Sequence, residues 1–122
     1  MQKRIVTLLI AKPGTLRDSL AILLRALPQL VTVNLANDAA SALRILETRR
    51  PGLVILDLSL PGAQSWTVLR QIKRRWPHVR CIALADSIRH MHQARAHGAD
   101  EVVLKGHPAA KLSAVMEKVL RT

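Results

Sequence analysis

The chain has 122 residues, 49% of them hydrophobic, and a net charge of +11. That length suits one domain, residues 1–122, with a real core, and that hydrophobic share excludes a disordered chain. The charge invites a nucleic acid or an acidic protein as partner, and no apolar run approaches the ~20 residues that a membrane span needs.

The N-terminal MQKRIVTLLIA is basic and then apolar. Its apolar part is short and runs into Lys12-Pro13-Gly14, so it reads as a first strand, Ile5 to Ala11, and not as a secretory signal. From Thr15 to Leu27, leucines at 16, 20, 23, 24 and 27 recur at helical spacing, and Pro28 ends the segment. Val31, Val33 and Leu35 alternate as in a strand. Asp38 can cap a second helix whose Ala42, Leu43, Ile45 and Leu46 face inward, and Pro51-Gly52 break it. Leu53 to Leu56 form a short apolar strand ending at Asp57, and Pro61-Gly62 turn the chain. Ser65 opens a third helix carrying Val68, Leu69 and Ile72, stopped by Pro77. Val79 to Ala85 is a fourth strand. It holds the only cysteine, Cys81, in the run CIALA, where a buried small residue is expected. A lone cysteine excludes an internal disulfide and suits a reducing cytosol, so a cytoplasmic setting is expected. Asp86 or Ser87 caps a helix to about His97, which Gly98 terminates. Glu101 to Leu104 is a last strand, and Pro108 sits near the start of a helix to about Leu120.

Strands alternating with helices imply an α/β fold with a parallel sheet covered on both faces. Functional groups in such sheets gather at the carboxyl ends of the strands. Ala11, Lys12, Asp57, Ala85 and Lys105 all fall there. No linker, low-complexity segment or second domain is visible. A carboxylate such as Asp57 at the end of an apolar strand is costly unless paired or solvated. It is read as a nucleophile, a metal ligand or a structural partner for a lysine.

The string PGLVILDLSLPG, followed by a helix ending RRWP, resembles the phosphoacceptor region of bacterial response-regulator receiver domains. HGADEVVLKGHP resembles the segment that carries their active-site lysine, here Lys105. The Lys-x-x-Pro spacing from Lys105 to Pro108 is similar to receivers of LuxR-like helix-turn-helix regulators. The resemblance covers essentially the whole chain. It implies a flavodoxin-like, doubly wound domain of five strands, order 2-1-3-4-5, with five helices. It also implies a signalling role in transcription regulation, not an enzyme, with Asp57 in the phosphoacceptor position and a C-terminal DNA-binding output domain beyond this chain. In that family two acids after the first strand hold Mg²⁺, a hydroxyl after the fourth strand bonds the phosphoryl group, and an aromatic on the fifth strand reports the change. A divalent cation offsets the repulsion between a carboxylate and a phosphoryl group, and the lysine pairs with a phosphoryl oxygen.

Three of these features are changed. The acidic pair falls on Ala11 and Lys12, and the first acid in the chain is Asp18, inside the first helix. The hydroxyl position falls on Ala85, with Ser87 two residues on, and the aromatic position on Val102. Losing one hydrogen bond costs roughly 1 kcal/mol. Losing both metal carboxylates removes the Mg²⁺ site, so no cofactor is expected and Mg²⁺ binding is lost or weak. Lys12 brings an ammonium instead and is expected to pair with Asp57, alongside Lys105, at an attraction of roughly 4 kcal/mol for charges about 4 Å apart before desolvation.

Other features point to bland roles. His90, His92 and His97 are spaced by two and five, which does not suit a metal pair on a helix, and read as solvated side chains. Trp66 and Trp76 flank the third helix and read as anchors. No phosphate-binding glycine loop follows the first strand. Three functions compete. The first is a degenerate receiver acting without phosphotransfer, by docking a partner protein or a second copy. The second is a conventional receiver phosphorylated on Asp57 by a histidine kinase. The third is a basic module using Arg49, Arg50, Arg70, Lys73, Arg74 and Arg75 to bind nucleic acid or an acidic protein, a region whose plain reading is a solvated helix face.

Overall fold

The computed structural model describes residues 4–106 and 109–120. Five strands alternate with five helices: β1 (Ile5–Ile10), α1 (Thr15–Arg25), β2 (Leu30–Ala36), α2 (Ala39–Arg49), β3 (Leu53–Asp57), α3 (Gln64–Arg75), β4 (Arg80–Ala85), α4 (Ile88–Ala96), β5 (Glu101–Leu104) and α5 (Ala109–Leu120). The strands form one sheet in the order β2-β1-β3-β4-β5, and every pairing is parallel. Pro108, and with it the Lys-x-x-Pro feature, lies outside the described residues.

The two-residue period of the strands divides the core into two layers. Leu8, Ile10, Val54, Leu56, Cys81, Ala83 and Val102 face one way, against Ala42 and Leu46 of α2, Val68, Leu69 and Ile72 of α3, and Ala94 of α4. Leu9, Val33, Leu53, Ile55, Ile82, Leu84 and Val103 face the other way, against Ala21 and Leu24 of α1 and Leu112, Met116 and Val119 of α5. With helices on both faces, β3 is buried from Leu53 through Asp57, which is why its sequence is continuously apolar up to the aspartate. Trp66 and Trp76 pack, half-buried, against the α2/α3/α4 layer.

Side-chain caps open α2 and α4. Asp38 accepts from the Ser41 backbone N–H at 2.8 Å and from the Ser41 hydroxyl at 2.6 Å, and these bonds hold its carboxyl below the usual carboxylate range. Of the two caps expected for α4, Ser87 is the one used, accepting from the His90 N–H at 3.1 Å. That leaves Asp86 free to point elsewhere. Each helix runs antiparallel to the strands it follows, so all five end at the pole opposite Asp57.

Candidate functional site at the carboxyl edge of the sheet

Register brings the strand-end residues together. Ile10 pairs with Leu56, so Ala11 stands beside Asp57, and the Ala85 carbonyl accepts from the Lys105 N–H at 2.8 Å. A cavity of about 370 Å³ opens there, lined by Lys12, Pro13, Gly14, Thr15, Leu16, Asp57, Ser59, Asp86 and Lys105.

Asp57 is 2% exposed, and three donors converge on its Oδ1. The Ser59 backbone N–H donates at 2.9 Å, the Ser59 hydroxyl at 2.7 Å, and the Lys105 ammonium lies at 2.5 Å. Lys105 also donates to Ser59 Oγ at 2.9 Å and stands 3.3 Å from Asp86 Oδ1. One ammonium therefore bridges two carboxylates and a hydroxyl. Ser65, also buried, donates to the Asp57 backbone carbonyl at 2.9 Å and accepts from the Leu60 N–H at 3.3 Å. It ties the start of α3 to the loop that follows β3.

The expected ion pair between Lys12 and Asp57 is absent: no charged contact joins them, and Lys105 takes the place instead. Lys12 lines the cavity but is exposed. A second ammonium at the same oxygen would meet the first at like-charge distances where repulsion is roughly 4 kcal/mol, which cancels its gain, whereas water solvates Lys12 at no such cost. Ala11 and Ala85 are buried methyl groups, 1% and 0% exposed, and offer no donor or acceptor from their side chains. Val102 is buried against the α2/α3/α4 layer.

Two members of the site were not legible from the sequence. Asp86 reads as a helix cap, and only Ser87's taking of that role turns it toward Lys105. Ser59 carries no motif beyond standing two residues after Asp57, which is the spacing of an Asx turn. The histidines also differ from expectation. His90 and His97 are not merely solvated: their rings pack on Trp66, with centroids 6.1 and 5.1 Å away. The informative spacing is the seven residues between them, two helical turns, which puts them on one face. Among the described residues, no three His, Cys, Asp or Glu side chains gather as a metal site.

The basic residues split into two sets. Arg75 pairs with Glu47 at 3.0 Å and Lys73 with Asp100 at 3.1 Å. Arg49, Arg50, Arg70 and Arg74 are exposed and make no ion pair among the described residues. Cys81 is buried, and burial pushes its thiol up to about 12, with the Asp100 charge adding to the effect.

Comparison with known proteins gives a consistent result. The family described as response regulator receiver domain matches residues 8–117. The Fimbriae Z protein of Salmonella typhimurium is 32% identical over 80 residues, covering 66% of this chain and 38% of that protein. A protein-glutamate methylesterase/protein-glutamine glutaminase of Rhizobium johnstonii is 31% identical over 108 residues, covering 86% of this chain and 30% of that protein. The receiver domain of NtrX from Brucella abortus superposes with a TM-score of 0.86 at 28% identity, covering 95% of this chain and 98% of that one. A LuxR-family response regulator from Aurantimonas sp. shares the fold, with a TM-score of 0.87 at 24% identity and coverage of 98% and 86%. The chain spans about a third of the length of the curated relatives it matches.

Proposed function

Because the chain belongs to the response-regulator receiver family, we propose that it is a signalling module whose phosphoacceptor pocket is held neutral, so that it works without phosphorylation of Asp57. The observation that carries this reading is that the two positions where the family holds Mg²⁺ present the buried methyl of Ala11 and the exposed ammonium of Lys12, while Lys105 stands 2.5 Å from Asp57 and 3.3 Å from Asp86. The cavity contains two carboxylates, Asp57 and Asp86, and two ammonium groups, Lys12 and Lys105. Their charges sum to zero, so no negative field remains to draw in a dication. Mg²⁺, which the family implies, needs oxygen ligands in near-octahedral array. The positions that would supply two of them carry the methyl of Ala11 and the cation of Lys12. The donor set does not fit the metal.

On this reading the domain signals by docking a partner protein or a second copy of itself through the receiver surface, with a DNA-binding output domain following it in a longer regulator. A cytosolic setting accords with the buried, unpaired Cys81. Among the described residues, no helix is long and apolar enough to cross a membrane.

The competing reading is a conventional receiver phosphorylated on Asp57 by a histidine kinase. Incubation with acetyl phosphate and Mg²⁺, followed by intact-mass analysis, separates the two. An unchanged mass is expected. A gain of one phosphoryl group that is lost in Asp57→Asn would overturn the proposal.

A further inference from the structure

We propose that the cleft between the carboxyl-terminal ends of α2 and α3 is a seat for the phosphate backbone of duplex DNA. The cleft lies at the pole opposite Asp57 and has a volume of about 400 Å³. Arg50, Arg75, Trp76 and His78 line it together with Glu47, whose charge Arg75 already neutralises. Arg49 precedes Arg50 in the chain, and Arg70 and Arg74, one helical turn apart on α3, are also exposed.

The charge is organised by the fold. Basic residues occupy the last turn of every helix: Arg25, Arg49, the Lys73–Arg75 run, Arg95 and Lys118. One cation per helix end complements the helix dipole. The excess is concentrated on α3 and just past α2. Acids at this pole are paired: Glu47 with Arg75, Asp100 with Lys73 and Arg80, Glu101 with Lys118.

A second observation is independent of charge. Arg50 caps α2 with φ 49°, and it is the one non-glycine residue with positive φ among those described. Glycine serves that conformation at less strain. An arginine held there trades local comfort for a guanidinium at the cleft mouth, and strained residues concentrate where a group must be aimed.

The partner follows from what the surface lacks. Protein interfaces are anchored by exposed apolar or aromatic side chains. The large exposed hydrophobic residues are Leu16, Ile22, Val31 and Ile88, none of them on α2 or α3. Trp76 is covered by the Arg75 guanidinium, 4.4 Å from its ring, so it is not free to stack an unpaired base. Exposed guanidinium groups without apolar anchors suit repeated phosphates, which they bind bidentately.

The test is fluorescence anisotropy of the full chain with a labelled 30-base-pair duplex of arbitrary sequence. Contact with about four phosphates predicts roughly hundredfold weaker binding between 50 and 200 mM salt. Arg50→Gly is the decisive variant, because it suits the left-handed backbone and should leave the melting temperature equal or higher. It should weaken binding and flatten the log-log salt slope by about one. Arg50→Gly with Arg74→Gln should flatten it by about two, while Arg89→Gln at the opposite pole should change nothing. Three results would each overturn the proposal: no binding at 50 mM salt, Arg50→Gly binding as the parent does, or displacement of the duplex by poly-glutamate at equal charge concentration. The last would assign the cleft to an acidic protein.

Discussion

Asp57 and Lys105 are the residues whose energies are most unequal. At 2.5 Å their attraction is roughly 6–7 kcal/mol at an effective dielectric of 20, and desolvation of several kcal/mol per ion offsets most of it. The pair is therefore close to neutral for stability, but breaking it from one side is not. Lys105→Met strands a buried carboxylate and should cost roughly 2–3 kcal/mol in urea unfolding. Asp57→Asn leaves Lys105 its Asp86 partner and should cost about 1 kcal/mol or less. The reverse ranking would show that Lys105 is not what holds Asp57. Thr7 makes the opposite prediction. Its hydroxyl is buried in β1 with no hydrogen-bond partner, so Thr7→Val should raise stability by about 1 kcal/mol. At Cys81 the thiol is raised to about 12 in the folded chain. A raised pKa contributes stability that is complete below the unfolded value, near 9, and that is lost as pH rises toward 12. Stability measured at pH 8 and pH 10.5 should fall across that interval, and the fall should be smaller in Cys81→Ala.

At the scale of elements, the joint between β3 and α3 carries more than its sequence suggests. Ser65 satisfies the Asp57 carbonyl and the Leu60 N–H together. Ser65→Ala leaves both unpaired in a dry environment and should cost about 2 kcal/mol, with amide exchange speeding up first at Leu60. The cap of α2 responds to acid. Because the Ser41 bonds lower the Asp38 pKa, its contribution is present above the ordinary carboxylate pKa and is lost as pH falls through the lowered one. Exchange protection in α2 should weaken at low pH in the parent chain and be less pH-dependent in Asp38→Ala. Between α3 and α4 the packing of Trp66 against His90 and His97 is a tertiary contact that helical periodicity, read pair by pair between neighbouring histidines, does not reveal.

Over the whole molecule, 19 Lys and Arg face 8 Asp and Glu, and the carboxyl-edge pocket is the place where the two signs balance. Elsewhere the excess repels itself. Screening that repulsion should raise the melting temperature by a few degrees between 10 and 200 mM NaCl, as read by calorimetry. The opposite trend would mean that the ion pairs and helix-end cations, which salt weakens, outweigh the repulsion.

Element order, a parallel sheet covered on both faces and the gathering of Ala11, Lys12, Asp57, Ala85 and Lys105 at one edge of the sheet were legible from the sequence, whereas the alternation read at Val31, Val33 and Leu35 fails at Val31, which is 50% exposed. They follow from short-range rules: side-chain periods of two and 3.6, breaker residues, and the parallel pairing that alternation requires. The partner of Asp57 was not. Two lysines were available, and the choice of Lys105 over Lys12 depended on which stem lies along the buried edge and which ends in water. The same holds for Asp86, released to the pocket because Ser87 took the cap, and for Arg50, whose left-handed backbone has no sequence signal. Each is a competition among groups far apart in the chain, decided by distances of a few ångströms that only the folded sheet sets.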